Sequence, residues 1–163
     1  MKVSAQEEYG LRCLLQLARR QRSGDGSPLT LGEIAREEGL TVPHVAKLIS
    51  RLRKAGLVRS VLGRTGGYTL ARDASGVSVS EVLAALGGKL YDTDYCTKFS
   101  GDLAICTHMG DCSLRSLWGV LETLLDRVLK QTKLSELVRS EQGMTAMLDK
   151  RAPAETPRLR GCR

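Results

Sequence analysis

The sequence carries three copies of one helix-start signal, and these copies divide its first half into short helices. Each copy has Ser or Thr at one position and Glu three residues later: Ser4–Glu7, Thr30–Glu33 and Ser78–Glu81. In this capping box the hydroxyl and the carboxylate bond backbone N–H groups that the first helical turn leaves without a partner. Glycines that predict helix ends follow, at Gly39, Gly56 and Gly87. These closely spaced helix-start and helix-end signals favour a small domain built of short helices.

The spacing of apolar residues predicts three helices before any strand, at about residues 6–20, 31–38 and 42–54. Thr41 is placed to cap the third helix, and Pro43 suits its first turn, where no amide proton is needed. Apolar residues at three- and four-residue spacing give the third helix one buried stripe: Val45, Leu48, Ile49 and Leu52. Its opposite face is therefore polar and basic.

Two short strands are predicted next, at residues 57–61 and 68–70, joined by a glycine-rich turn that contains Arg64. A helix through Leu86 follows the third capping box. Three helices with a two-stranded ribbon make a winged helix–turn–helix unit, so we assign residues 1–88 to a DNA-binding domain. The fold class is mainly α with a small β-hairpin wing.

The second half of the chain is predicted to hold a loop, a long helix and a tail. Residues 89–112 show no period and read as a cysteine-bearing loop. Residues 113–149 are interpreted as a dimerisation helix followed by a C-terminal helix, and residues 150–163 as a basic flexible tail. The long helix carries a continuous apolar stripe: Leu114, Leu117, Trp118, Leu121, Leu124, Leu125, Val128 and Leu129. A second copy of this helix is the expected cover, which predicts a homodimer.

Charge is concentrated in one block of the chain. Seven basic residues and no acidic one lie between residues 42 and 72, whereas residues 73–149 hold seven basic and eleven acidic residues. A block of basic residues without acidic ones is typical of a surface that binds a polyanion, so it predicts double-stranded DNA as the partner. The predicted base readers lie at the start of the third helix: Thr41, Pro43, His44 and Lys47. Ser50, Arg51 and Lys54 would meet phosphates, and Arg64 would enter the minor groove. Arg59 and Thr65 are further predicted DNA-binding residues.

No apolar run approaches the roughly 18 residues that a spanning helix needs, and no apolar stretch of a secretory signal follows Met1. We therefore expect a cytoplasmic protein without a membrane partner. In that compartment five cysteines favour reduced thiols or metal ligands over disulfides. Cys13, on an apolar helix face, and Cys162, in the tail, are interpreted as free thiols.

Cys96, Cys106 and Cys112 are spaced C-x9-C-x5-C in the predicted loop, with Cys112 at the start of the long helix. Three thiolates suit an iron–sulfur cluster, [2Fe–2S] or [4Fe–4S]. Structural zinc, with His108 as fourth ligand, is the first alternative, and buried free thiols are the second. A thiol redox enzyme is disfavoured because no C-x-x-C pair is present. We expect a regulator and not an enzyme.

The chain resembles the Rrf family of bacterial regulators over about residues 1–140. The resemblance is carried by residues 50–58, the Gly63-Arg-Thr-Gly-Gly-Tyr68 wing, Glu8-Tyr-Gly-Leu-Arg12 and the three loop cysteines. The resemblance implies a homodimeric transcription factor whose cluster senses iron–sulfur status, nitric oxide or redox state. Arg115 stands where IscR-like members carry a histidine ligand. The acidic ligand that NsrR-like members take from the other subunit corresponds to Glu8.

Overall fold

The computed structural model describes residues 3–87 and 95–151 and confirms the predicted winged helix–turn–helix fold. The elements of the DNA-binding body are α1 (Ala5–Arg22), α2 (Leu31–Glu38), α3 (Val42–Lys54), β1 (Val58–Val61), β2 (Gly67–Leu70), a 3₁₀ turn (Ala74–Gly76) and α4 (Val79–Leu86). After them follow α5 (Tyr95–Lys98), α6 (Ser113–Gln131), α7 (Leu134–Leu137) and α8 (Glu141–Arg151).

All three capping boxes form, so the helix starts lie where the sequence places them. The backbone N–H of Glu33 donates to the Thr30 hydroxyl at 3.2 Å, and Glu33 accepts the Thr30 N–H in return. The other two boxes repeat this geometry in α1 and α4. The expected side-chain cap of α3 is wrong: Thr41 occupies the N-cap position but its hydroxyl makes no capping bond. Pro43 lies in the first turn, as predicted.

The wing is an antiparallel hairpin in which Val58 pairs with Leu70 and Val61 pairs with Gly67. A third segment pairs with the start of β2. Leu29 and Tyr68 exchange two backbone hydrogen bonds, at 3.0 and 2.8 Å. A Cβ at Gly67 would lie 2.6 Å from the Leu29 carbonyl oxygen, so this close approach requires glycine. The wing is thereby fixed to the start of the helix–turn–helix.

α1 forms the centre of the core, in contact with α2, α3, α4 and β2. It also packs tightly against α4, where a Cβ at Gly10 would clash with the Leu86 side chain. The largest fully buried side chains come from every helix of the body and from α7: Leu14, Ile34, Ile49, Leu52, Leu86 and Leu134. Leu134 is distant in sequence, yet it lies in the core that packs residues 13–86.

α6 returns the chain to the DNA-binding body. The Ser80 hydroxyl donates to Asp126 at 2.8 Å, and the backbone N–H groups of Val79 and Leu134 donate to Thr132 and Val77. The single C-terminal helix expected near residues 134–148 is two helices, α7 and α8, because the chain turns at residues 138–140.

Two predicted segments lie partly outside the described residues. The structure describes the cysteine-bearing loop from residue 95 onward, where α5 is a short helix that no apolar period predicts. Residues 152–163, most of the predicted tail, are outside the described range. Within that range no helix is long and apolar enough to cross a membrane.

Candidate nucleic-acid interface and cysteine segment

α3 separates an apolar face from a basic one. Its four predicted core residues are at most 2% exposed, so that face is fixed against the body. The opposite face is open: Pro43, Lys47, Arg51 and Lys54 are exposed, and Ser50 is half-buried. Thr41 is also exposed, and its hydroxyl is free of a capping bond. The N-terminal half of α3 can therefore present side chains to a groove of DNA.

His44 differs from the other predicted base readers because a neighbour fixes its ring. It is half-buried, and its ring meets the Tyr9 ring of α1 edge to face, with centroids 5.6 Å apart and planes at 86°. Aromatic pairs prefer this geometry. Arg12 lies over the other side of Tyr9, with its guanidinium carbon 5.5 Å from the ring centroid. Sequence spacing gave no signal for this arrangement, because Tyr9 also fits the apolar stripe of α1.

Arg12 also fastens α1 to the end of α2. Its Nε donates to the Glu38 carboxylate at 2.6 Å, and its Nη2 donates to the Glu38 backbone carbonyl at 2.9 Å. Gln16 donates to the other oxygen of the same carboxylate. The Glu38 side chain is only 7% exposed, so its carboxylate is shielded from water, whereas the Arg12 side chain is 39% exposed. It holds α2 just before the turn that leads into α3.

Arg51 is exposed on the basic face, as predicted, but part of its hydrogen-bonding capacity is used within the protein. Its Nη1 donates to the backbone carbonyl of Leu86 at 3.3 Å. The same carbonyl accepts the side-chain amide of Gln6. Arg51 therefore connects α3 to the C-terminal end of α4, in addition to any contact with phosphate.

The wing presents the remaining predicted DNA contacts. Arg59, Arg64 and Thr65 are all exposed, and Arg59 Nε donates to the Thr69 hydroxyl across the hairpin at 3.2 Å. The last cation of the acid-free block, Arg72, pairs instead with Glu81 of α4. The positive surface is thus formed by α3 and the tip of the wing.

The segment from Cys106 to Arg115 is folded back on the start of α6. The Met109 N–H donates to the Cys106 carbonyl at 3.1 Å, and the Arg115 guanidinium donates to the carbonyls of His108 and Met109 at 3.3 and 2.8 Å. Cys112 is the N-cap of α6, and its sulfur accepts the Arg115 N–H at 3.4 Å. Arg115, in place of a ligand, braces this segment.

The structure brings Cys106 and Cys112 into one compact segment but does not gather a complete ligand set within one chain. Cys96, in α5, is half-buried, as Cys106 and Cys112 are. Glu8 is exposed on α1. Within residues 3–87 and 95–151 no three His, Cys, Asp or Glu side chains lie close enough to hold a metal ion.

Cys13 behaves as a buried apolar side chain. It is fully buried, and this burial, with a smaller contribution from the charge of Glu38, raises the pKa of its thiol to about 12. A thiol of that pKa stays protonated near neutral pH, so Cys13 is neither a nucleophile nor a ligand.

The apolar stripe of α6 is uncovered in the single chain. No residue of α6 is buried, and six large apolar side chains of the stripe are 37–58% exposed: Leu114, Leu117, Trp118, Leu121, Leu124 and Val128. The face that α6 turns to α4 is a different one, marked by Asp126. Such a patch on a protein surface marks an interaction site.

Comparison with known proteins agrees with this arrangement. The family model of the Rrf2 iron-dependent transcriptional regulators matches residues 3–140. The chain is 33% identical over 139 residues to protein Rrf2 of Nitratidesulfovibrio vulgaris, covering 85% of this chain and 88% of that protein. It is 32% identical over 142 residues to the transcriptional regulator IscR of Escherichia coli, covering 87% and 83%.

Solved structures of similar proteins share the fold. CymR, the global cysteine regulator of B. subtilis, has a TM-score of 0.67 at 27% identity and covers 85% of this chain and 96% of its own. IscR of T. potens has a TM-score of 0.64 at 29% identity, covering 96% and 93%. The oxidized form of Staphylococcus aureus CymR has a TM-score of 0.65 at 27% identity, covering 86% and 98%. These relatives are regulators and not enzymes, which confirms the expectation of a regulator.

Proposed function

Because the chain belongs to the Rrf2 family of transcriptional regulators, we propose that it is a homodimeric DNA-binding regulator whose affinity for an operator depends on an iron–sulfur cluster. The observation that carries the DNA-binding part is the open basic face of α3 beside the basic wing. In this geometry Thr41, Pro43, His44 and Lys47 read bases, while Ser50, Lys54 and Arg59 contact the backbone. Arg64 and Thr65 reach the minor groove from the wing.

The uncovered stripe of α6 supports the dimer. A face of leucines and Trp118 at 37–58% exposure gains free energy when it is removed from water. A second copy of α6 supplies a surface of the same shape and chemistry, as two-fold dimers do. Two α3 helices related by that axis would read two half-sites of a pseudo-palindrome, about 34 Å apart or a multiple of that distance.

The donor chemistry of residues 96–112 supports a cluster held by Cys96, Cys106 and Cys112. All three thiols are half-buried, which leaves them accessible while it limits water around them. The Cys112 sulfur lies at the N-terminus of α6 and accepts the Arg115 N–H at 3.4 Å. When bound, an iron–sulfur cluster supplies a centre that changes with redox state and reacts with oxidants.

Glu8 of the second subunit is the proposed remaining ligand, with His108 as the alternative. Glu8 precedes Tyr9, which contacts His44 of α3, and lies one helical turn before Arg12, which holds Glu38. A ligand at this position on α1 would therefore link the cysteine segment of one subunit to the recognition helix of the other.

A second candidate is a regulator of the same fold with structural zinc or a thiol switch and no cluster. The thiol switch is favoured by the absence of a gathered ligand set among the described residues and by the likeness to an oxidized CymR. In the zinc form His108 would join the three cysteines, as in common Cys₃His sites.

Absorption and metal analysis of anaerobically purified protein test the cofactor. Thiolate-to-iron charge transfer should colour the protein brown, and alanine at any one of Cys96, Cys106 or Cys112 should bleach it. Glu8→Ala should make the colour labile, whereas His108→Ala and the control Cys162→Ala should leave it unchanged. Colourless protein with one zinc per chain after attempted cluster reconstitution would establish the zinc alternative.

Fluorescence anisotropy with labelled duplex DNA tests the partner. If each subunit makes a few phosphate contacts, affinity should fall roughly 10³–10⁵-fold between about 50 and 200 mM salt. Arg64→Ala should weaken binding, and Arg163→Ala should have little effect. A flat salt response would reject the proposed interface.

A further inference from the structure

Leu62, at the tip of the wing, is the most exposed large apolar side chain in the described part of the protein. It is 93% exposed, whereas the next in order, Phe99, is 64% exposed. Single exposed leucines are common on protein surfaces, so the position of Leu62 in the basic wing matters more than its exposure alone. Residues 42–72 contain no acidic side chain, and Leu62 lies between Arg59 and Arg64 in this stretch.

The turn that carries Leu62 is tightly folded. Gly63 has a φ of +118°, a backbone conformation that favours glycine. The Gly66 N–H donates to the Gly63 carbonyl at 3.0 Å, and a Cβ at Gly66 would lie 2.5 Å from the Val61 carbonyl oxygen. Tyr68 lies in β2 two residues after Gly66, and its pairing with Leu29 holds the hairpin to the body near this turn. Leu62 is thus presented outward on a fixed arm.

We propose that Leu62 enters the minor groove of operator DNA beside Arg64 and packs its side chain against sugars and base edges. The surrounding arginines favour a polyanion as the partner of this tip, because an apolar protein surface would leave their charges uncompensated. Minor-groove proteins insert leucine and similar side chains in this way and pair them with arginine. The apolar contact would make the wing sensitive to the shape of the groove, in addition to its charge.

Leucine and arginine at the same tip make different contributions that can be measured separately. An arginine that neutralises a phosphate releases counterions, so its contribution falls as salt rises. A leucine releases no counterion, and its contribution comes from apolar area removed from water. Removing Leu62 should therefore lower affinity at every salt concentration by the same factor.

The protein side of the test uses a duplex selected from a random library by the wild-type protein. Leu62→Ala should weaken binding about tenfold with an unchanged slope of log affinity against log salt. Arg64→Ala should reduce that slope by about one. Val3→Ala, which removes an exposed apolar side chain elsewhere, is the control and should bind as wild type does. Because Leu62 is almost fully exposed, its loss should leave the melting temperature unchanged.

The DNA side of the test places A·T, inosine·cytosine or G·C pairs under the wing. Only G·C puts an amino group in the minor groove, so A·T and inosine·cytosine present the same obstacle-free surface there. The wild-type protein should prefer those two duplexes over G·C, and Leu62→Ala should reduce this preference. An equal preference in both proteins, or a preference that follows A·T alone, would reject a minor-groove contact by Leu62.

This inference rests on the proposed DNA binding, and the two can fail separately. If the wild-type protein selects no duplex, the proposed function is wrong. If it selects one and Leu62→Ala binds that duplex as tightly as wild type, only the role of Leu62 is wrong.

Discussion

Arg51 and Lys47 lie on the same exposed face of α3, but only Arg51 of the two is hydrogen-bonded to another part of the described structure. Lys47 has its ammonium free to meet DNA, whereas Arg51 donates to the Leu86 carbonyl at 3.3 Å. That carbonyl is at the end of α4, where backbone acceptors lack partners within the helix. Arg51 therefore holds α3 against the point at which the chain leaves for the cysteine segment.

Alanine at these two positions should separate binding from stability. Lys47→Ala should weaken DNA binding and reduce the salt slope by about one, with no change in unfolding. Arg51→Ala should also cost about 1 kcal/mol of unfolding free energy, because the Leu86 carbonyl loses a donor. Urea unfolding and anisotropy titrations measure both quantities. Equal unfolding midpoints for the two variants would show that the Arg51 bond adds nothing to stability.

At the scale of one element, α4 depends on a charged cap. The Glu81 carboxylate accepts the Ser78 N–H and hydroxyl, each at 2.9 Å, and pairs with Arg72. These contacts, the backbone N–H foremost, lower the pKa of Glu81 from 4.5 to about 2. The charged form is thus the one that the folded state prefers.

This cap predicts a pH dependence with a defined sign. Because the folded pKa lies below the unfolded one, the stabilisation is complete above about pH 4.5 and is lost as pH falls toward about 2. Glu81→Gln keeps hydrogen-bonding atoms but cannot titrate, so its deficit relative to wild type should shrink between pH 6 and pH 3. Glu81 is about half exposed, so the effect should be modest. Urea midpoints at several pH values check it, and a deficit constant with pH would contradict it.

In the whole molecule, the two faces of α6 make different contacts. One face contacts α4 through Asp126 and joins the DNA-binding body, and the other carries the uncovered apolar stripe. Its N-terminus holds Cys112, and its C-terminus leads to Leu134 in the core. The proposed sensor and the proposed dimer contact therefore belong to one helix that is anchored to the DNA-binding body.

A charge on the stripe should dissociate the dimer. Leu121→Asp places a carboxylate where a second α6 would remove it from water, at a cost of several kcal/mol. We expect a monomer in sedimentation and a loss of operator binding at the same time. Thr123→Asp, on the opposite side of α6, is the matched control and should remain dimeric. A dimeric Leu121→Asp variant would show that this face has another role.

Features that depend only on neighbouring residues can be predicted from the sequence. The capping boxes, the apolar stripe of α3 and the glycine-rich wing each act within a few residues, so their outcome is readable from spacing. The position of Cys112 at the start of α6 can likewise be predicted from the spacing of the apolar residues that follow it. The acid-free block and the winged-helix pattern predict DNA binding, which the comparisons support through the family as a whole.

Only the tertiary structure decided which side chains meet across the core. Arg51 reaches Leu86, 35 residues away, and Arg12 reaches Glu38, 26 residues away. Tyr9 meets His44, and Leu134 joins a core that the sequence assigned to residues before 88. Spacing cannot show such pairs, because apolar burial is non-directional and many arrangements of the same helices satisfy the same pattern. Packing of specific shapes, such as Gly10 against Leu86, selects one of them.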